Sequence, residues 1–414
     1  MSALRALDDA RPSLTVTDQL ARVEAAGPAF ARSRTLGAPL PAFASVDQVV
    51  ADLQPSEPVF CMIPSELRKA AEGFKGLPAR ALYAVKCNPH PFVLDTLYQA
   101  GIRDFDVASL EEVRLIDALF GKAAGQFFNN PVKTREAIRV ASRDFAMRFY
   151  TVDCEAEVEK ILEEAGPGGD LIIAVRLATP SREARYALST KFGAPPAEAA
   201  ELLRLIDRRG VKTGISFHVG SQCLSPDAFG AALELAGKVA KKSGVPLSVL
   251  NVGGGFPAPY PGDDPAPLQR YIAEIIHGRG RLGLRSGCML MCEPGRSLVA
   301  TGGSVVAQVV VRRGQTIFLN DGVFGSLQEL GHPKENRPVR IVRPDGPPAS
   351  ARTAAFKVFG PTCDSNDVLG APFHLPDDVR EGDWLEIGMM GAYSLSMRTR
   401  FNGFHLDQIV RIGD

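Results

Sequence analysis

LSVLNVGGG, residues 247–255, ends a β-branched run in three consecutive glycines. The position of this cluster along the chain decides between two folds. Seven apolar runs, counting its own, lead up to it: ARALYAVK (79–86), IRDFDVAS (102–109), GQFFNNP (125–131), AMRFYTV (146–152), DLIIAVRLA (170–178), TGISFHVGS (213–221) and LSVLNVGGG itself. GCMLMCEPG (287–295) follows as the eighth. Helical patterns lie between them, among them SLEEVRLIDALFG (109–121), KTREAIRVASRD (133–144), CEAEVEKILEEAG (154–166) and SPDAFGAALELAGKVAKKSG (225–244), the last with Ser225 as expected N-cap. Alternating strand and helix implies a parallel sheet. Eight such units over roughly 240 residues match the size of a (β/α)8 barrel. The rival, a doubly wound sheet, places its glycine-rich turn after the first strand. Here it follows the seventh, where barrels often hold a phosphate.

From about residue 301 the texture changes. The runs GGSVVAQVVVRRG, QTIFLND, RPVRIVRP, TAAFKVFG and DWLEIGMMGAY succeed one another without helices, several separated by turn residues. The expected organisation is an N-terminal segment over 1–50 packing with a β domain, a TIM-like barrel over 51–300, and that C-terminal β domain, a barrel or sandwich, over 301–414.

Composition excludes several function classes. Hydrophobic residues make up 45% and charged residues 23% of the 414, as in ordinary globular chains. Lys+Arg and Asp+Glu each number 47, so neither nucleic acid nor an anionic membrane is an expected partner. No apolar stretch approaches the roughly 18 residues of a membrane helix. The N-terminus, MSALRALDDARPSLT, carries acidic residues and no apolar core, so no secretory signal is expected. Seven cysteines without a C-x-x-C pattern fit free thiols in a reducing cytoplasm. Six histidines show no metal-ligand spacing, so no metal site is expected.

Polar residues gather at the C-terminal ends of the expected strands, the end where barrel enzymes do chemistry. They are Lys86; Asp106 and Ser109, with Glu112 just beyond; Arg176; His218 and Ser221; Gly253, Gly254 and Gly255; and Glu293 with Arg296. Lys86 stands in an apolar run. It reads either as a solvated lysine on a wet face or as a desolvated one with lowered pKa, suited to a Schiff base. NVGGGF (251–256) and EPGR (293–296) suggest an anion cradle, against the plainer alternative of a tight turn and a surface arginine. A lysine, a phosphate cradle, a histidine to stack on a ring and a carboxylate to hold a pyridine nitrogen protonated together suggest pyridoxal 5'-phosphate.

YAVKCN (83–88), FDVASLEE (105–112), SFHVGSQ (216–222), NVGGGF, CEPGRS (292–297), GPTCDSND (360–367), GAYS (391–394) and FNGF (401–404) then stand in the order of a known family. Over about residues 58–405 the chain resembles the fold-type III decarboxylases of basic amino acids, with ornithine decarboxylases closest. The resemblance implies an alanine-racemase-like barrel and a homodimer with active sites shared across the interface. Lys86 would carry the cofactor, with Asp106 and Arg176 in the hydrogen-bonded shell and Glu112 near it. His218 would stack on the ring and Glu293 would pair with its nitrogen. Ser221, Gly254, Gly255, Gly295, Arg296 and Tyr393 would hold the phosphate. Cys363 and Asp364 would reach the site of the second subunit, the cysteine as proton donor and the aspartate on the substrate's distal amine. The implied reaction is decarboxylation of L-ornithine to putrescine, a step of polyamine biosynthesis.

One segment departs from that pattern. NDGVFGSLQELGHPKENRP (320–338) places Gly331 near the position of a second distal-amine aspartate, and Glu329 is the nearest acidic substitute. Lysine, arginine or another basic amino acid therefore stay open as substrates. So does meso-diaminopimelate, although Asp364 and FNGF lean away from it. A racemase would set arginine, not Glu293, against the ring nitrogen. A non-catalytic regulatory homologue would have lost Lys86 or the residues around it.

Overall fold

A computed structural model describes residues 39–179, 184–186 and 191–413. Most of the N-terminal segment of the sequence reading lies outside them. Two short early strands, β1 (Ala42–Phe43) and β2 (Val59–Met62), precede a closed parallel barrel. Its strands are β3 (Arg80–Ala84), β4 (Asp104–Val107), β5 (Gly125–Phe128), β6 (Phe149–Val152), β7 (Ile172–Arg176), β9 (Lys212–Ser216), β11 (Leu247–Asn251) and β12 (Met289–Cys292). β12 pairs with β3 to close the ring. β8 (Ala184–Tyr186) and β10 (Ser221–Cys223) form a separate antiparallel ladder above the barrel strands. Every barrel strand falls inside a run anticipated from the sequence, except that β9 begins one residue early.

The strands read as continuous apolar runs because both faces are buried. Leu82, Phe127, Phe149, Ala174, Val249 and Met291 fill the interior. The opposite faces pack against the surrounding helices in the main core. Register fixes the mouth of the barrel. Ala84 pairs with Asp106 and Arg176 with Ser216, so the residues that follow emerge at one level.

Capping explains two helix starts and corrects a third. Thr134 Oγ1 accepts from the Ala137 N–H at 3.1 Å and opens the helix Arg135–Phe145. Ser109 Oγ accepts from the Glu112 N–H at 3.2 Å and opens Leu110–Phe120. Ser225 is not the N-cap expected from the sequence. The helix begins at Asp227 with Pro226 at the cap, and Ser225 Oγ accepts from the Asp227 N–H at 3.3 Å, one step outside.

The C-terminal region is mostly sheet. β13 (Gly303–Arg313) pairs with β2, with β14 (Thr316–Leu319) and with β18 (Trp384–Ile387). β15 (Val339–Val342) joins β18; β16 (Thr353–Phe359) joins β14 and β17 (Phe373–Pro376). β19 (Gln408–Ile412) lies parallel to both β1 and β2. β2 thus falls in the span read as barrel, yet it belongs to this sheet. The helix Val46–Leu53 buries Val46, Val49 and Val50 against Val59, Cys61, Val306, Val342 and Val410 of the same sheet.

Candidate active site

Lys86 is not on a strand. β3 ends at Ala84, and Val85–Cys87 form a 3₁₀ turn that swings Lys86 into the barrel mouth. The turn is fastened to the C-terminal domain. Asn88 Nδ2 donates to Gly391 O at 2.9 Å, and the Tyr393 N–H donates to Cys87 O at 2.8 Å. Tyr83 Oη donates to Asn88 O at 3.0 Å from below. Tyr393 itself holds φ +60°, a left-handed conformation that a tyrosine adopts only under such constraint. YAVKCN and GAYS are therefore two halves of one joint that carries Lys86 and Tyr393 to the same cavity.

That cavity encloses about 1190 Å³ at the C-terminal mouth. Lys86, Asp106, Arg176, His218, Ser221, Glu293, Arg296, Glu329 and Tyr393 all line it. Lys86 Nζ lies 3.4 Å from Asp106 Oδ2, with the lysine side chain half-exposed to the cavity and the aspartate buried. With the site as it stands, the Asp106 carboxylate outweighs desolvation and holds the Lys86 ammonium above its usual range, the opposite direction to the desolvated reading of that lysine. The other oxygen, Asp106 Oδ1, is buried without a hydrogen-bond partner.

β11 and the turn after it build the cradle. Asn251 Oδ1 accepts from the Gly253 N–H at 3.0 Å, and Asn251 Nδ2 donates to Glu293 Oε1 at 2.6 Å. The Glu293 N–H donates to Gly253 O at 2.8 Å. Gly253 has φ +67°, and a Cβ there would stand 2.0 Å from Phe217 O, so no other residue fits. A Cβ on Gly254 would meet His218 Nε2 at 2.9 Å. The Gly254 and Gly255 N–H groups donate to no acceptor among the described residues. Burial pushes the Glu293 carboxyl upward, with the Asp106 charge adding to it. His218 accepts at Nδ1 from the Gly220 N–H at 3.0 Å, and burial holds the ring neutral, far below its ordinary pKa.

Glu112, Cys363 and Asp364 do not line this cavity; the resemblance sets Glu112 only near it and the other two at a second subunit's site. Glu112 Oε2 accepts from the Ala108 N–H at 2.6 Å, one residue before the Ser109 N-cap. Cys363 is exposed, its Sγ 3.4 Å from Asn402 Oδ1. Asp364 Oδ1 accepts from the Asn366 N–H at 2.8 Å. Glu329 reaches the cavity but is bound to Arg296. The sequence reading missed Asn129, Asn130, Tyr186, Lys191, Gln328 and His332, all of which line the cavity. The Asn129–Asn130 pair carried a signal, since it stands at the C-terminal end of a barrel strand. Tyr186 and Lys191 sit in a β7–β9 excursion with no motif.

A barrel that gathers a lysine, an anion cradle and a buried carboxylate at its C-terminal mouth is built for Schiff-base chemistry with a phosphorylated cofactor. The partnerless Asp106 oxygen beside Lys86 and the undonated glycine N–H groups fit pyridoxal phosphate. Residues 62–300 match the family described as "Pyridoxal-dependent decarboxylase, pyridoxal binding domain". The chain is 33% identical over 338 residues to the lysine/ornithine decarboxylase of Selenomonas ruminantium, covering 79% of this chain and 82% of that one. The lysine/ornithine decarboxylase of Vibrio vulnificus, solved with putrescine, superposes with a TM-score of 0.76 at 28% identity, covering 90% of this chain and 99% of that one. The arginine decarboxylase of Paramecium bursaria Chlorella virus, solved with agmatine, shares the fold with a TM-score of 0.79 at 24% identity, covering 89% and 99% of the two chains. The chain belongs to the pyridoxal-dependent decarboxylase family. It is a pyridoxal-phosphate-dependent lyase for basic amino acids.

Proposed function

We propose that the chain decarboxylates L-ornithine to putrescine, with lysine or arginine as the alternative substrates. The decarboxylase chemistry rests on the Lys86–Asp106 pair and the buried Glu293 lining one cavity; the choice of ornithine is supported by the likeness to a lysine/ornithine decarboxylase. When bound, pyridoxal phosphate supplies a ring that accepts the electron pair left as carbon dioxide departs. Lys86 supplies the amine that holds the cofactor's carbonyl carbon, and Asp106 keeps that amine's proton at hand. Glu293, fixed by Asn251, keeps a proton on the ring nitrogen. His218, neutral and close to Gly254, would offer the ring an uncharged flat surface. The Gly254 and Gly255 N–H groups, Ser221, Gly295, Arg296 and Tyr393 receive the phosphate.

The same reading assigns Cys363 and Asp364 to the site of a second copy. Both lie outside their own cavity; exposed Val132 and Met397 line that cavity, and exposed Phe401 adjoins Asn402, the residue that meets Cys363. Cys363 would protonate the substrate's α-carbon and Asp364 would hold its distal ammonium. The seven free thiols suit a reducing cytoplasm. No helix among the described residues is long and apolar enough to cross a membrane.

Release of carbon dioxide and identified amines from ornithine, lysine, arginine and meso-diaminopimelate, with added pyridoxal phosphate, tests the reading. Putrescine at the highest kcat/KM is expected. A higher kcat/KM on another member of the panel, or turnover of none, would discard the ornithine assignment.

A further inference from the structure

Glu329 is the carboxylate that the sequence offers for a substrate's distal ammonium, but both its oxygens are already engaged. Oε2 accepts from Arg296 Nη1 at 2.7 Å and Oε1 from Arg296 Nη2 at 2.6 Å. Oε2 also accepts from Arg337 Nη2 at 3.1 Å. The Arg296 and Arg337 side chains are 4% and 1% exposed, and that of Glu329 10%. These are buried ion pairs, not contacts that solvent exchanges freely.

A guanidinium can grip an oxyanion along its Nη1–Nη2 edge or its Nε–Nη2 edge. Glu329 takes the first edge, and Tyr260 Oη lies 3.0 Å from Nη1 on the outer side. The second edge turns toward Ser221, where the Nε–Oγ distance of 3.4 Å is too long for a strong bond. Ser221 lines the cavity beside the glycine cradle. Arg296 therefore presents one lightly engaged edge, aimed where a phosphate would sit.

Glu329 is itself held. Arg337 lies over the Tyr260 ring, 3.7 Å from its centroid, and pairs with Glu335. Glu335 accepts in turn from Arg185 Nη1 and from Tyr186 Oη, each at 2.8 Å. Charges alternate along this chain, and the phosphate would be its terminal anion.

We propose that Glu329 is a positioning residue that aims Arg296 at the cofactor phosphate, and that it does not receive the substrate's distal group. The proposal rests on the pyridoxal-phosphate reading of the cavity. Selectivity for a distal ammonium then does not run through the 320–338 segment's Glu329.

The test compares pyridoxal phosphate with pyridoxal, which lacks the phosphate. Full-length protein is stripped of cofactor and titrated with each, following the visible absorbance of the lysine-bound form. Glu329→Gln is expected to weaken pyridoxal phosphate about tenfold, the loss of one charged hydrogen bond, and to leave pyridoxal unchanged. Its relative kcat/KM across ornithine and lysine should stay as in the parent. Arg296→Gln alone and with Glu329→Gln should bind pyridoxal phosphate equally weakly, because Glu329 acts only through Arg296. If Glu329→Gln does not fold, Glu329→Asp, too short to grip both nitrogens, is measured the same way and should show a smaller loss.

Tighter binding of pyridoxal phosphate by the variant would mean that the carboxylate competes with the phosphate, and would overturn the proposal. So would equal losses for the two ligands, additive losses in the double variant, or a changed substrate preference at constant cofactor affinity. Failure of the parent protein to bind pyridoxal phosphate would overturn the cofactor reading, and this proposal with it.

Discussion

Lys86 and the carboxylates around it set each other's protonation. Asp106 holds the Lys86 proton, while Glu293 and Glu112 are forced toward neutrality by burial, Glu112 to about 7 from an ordinary 4.5. The sign of the consequence follows from linkage. Glu112 binds its proton more tightly folded than unfolded, so its burial is without penalty below about pH 4.5 and penalised increasingly up to about pH 7. Glu112→Gln keeps an oxygen for the Ala108 N–H and removes the charge. The variant should match the parent in urea unfolding near pH 4.5 and exceed it by roughly 1–3 kcal/mol at pH 7.5. A difference that stays constant between the two pH values would remove Glu112 from this role. In the sequence, Ser109 and Glu112 stand out only as polar residues at a strand end; their local role at the start of the helix Leu110–Phe120 is seen in the structure. The raised pKa of Lys86 was not readable in the sequence either, because its cause is Asp106, 20 residues away on the neighbouring strand.

The elements show why strands were legible and their trailing loops were not. A doubly buried strand is an apolar run whatever it packs against, so the eight runs gave the barrel its strands. The segment 129–134 after β5 offers no such pattern, and Lys133 reads as the solvated first turn of a helix. Its side chain is fully buried instead. Nζ donates to Asn130 O at 2.8 Å, Pro131 O at 3.0 Å and Thr151 O at 2.7 Å, and lies 3.3 Å from Glu157. Burial pulls its pKa down to about 8. One ammonium thus ties the loop that lines the cavity to β6 and to the helix Glu155–Ala165. Lys133→Met fits the volume but strands three carbonyls. It should lower unfolding free energy by about 3 kcal/mol in a denaturant titration. It should also raise KM for the amino acid more than it lowers kcat, since the catalytic groups lie on other strands. An unchanged unfolding midpoint would show that water replaces the ammonium at no loss.

At the scale of the whole molecule, the residues proposed for the chemistry do not all line one cavity. Lys86, Asp106 and Glu293 meet in one cavity, whereas Cys363 and Asp364 stand on the exposed loop after β16, tied to Asp367 through the Gly360 and Thr362 N–H groups. Neither Cys363 nor Asp364 lines the cavity of its own chain, and the proposed function gives both to the cavity of a second copy. Only the resemblance of the motifs to a known family assigned Cys363 and Asp364 to a second subunit; nothing in their local pattern distinguishes one copy from the other. The consequence is a complementation test. Lys86→Ala and Cys363→Ala should each be nearly inactive alone. In an equimolar mixture that exchanges subunits, half of the dimers pair unlike chains, and each such dimer joins one intact barrel to one intact loop. About a quarter of all sites are then whole, so activity should recover to roughly 25% of the parent. Recovery should depend on dilution and incubation long enough for subunits to exchange. A mixture that stays as inactive as its components after proven exchange would show that each site is completed within one chain, and would take Cys363 out of the reaction.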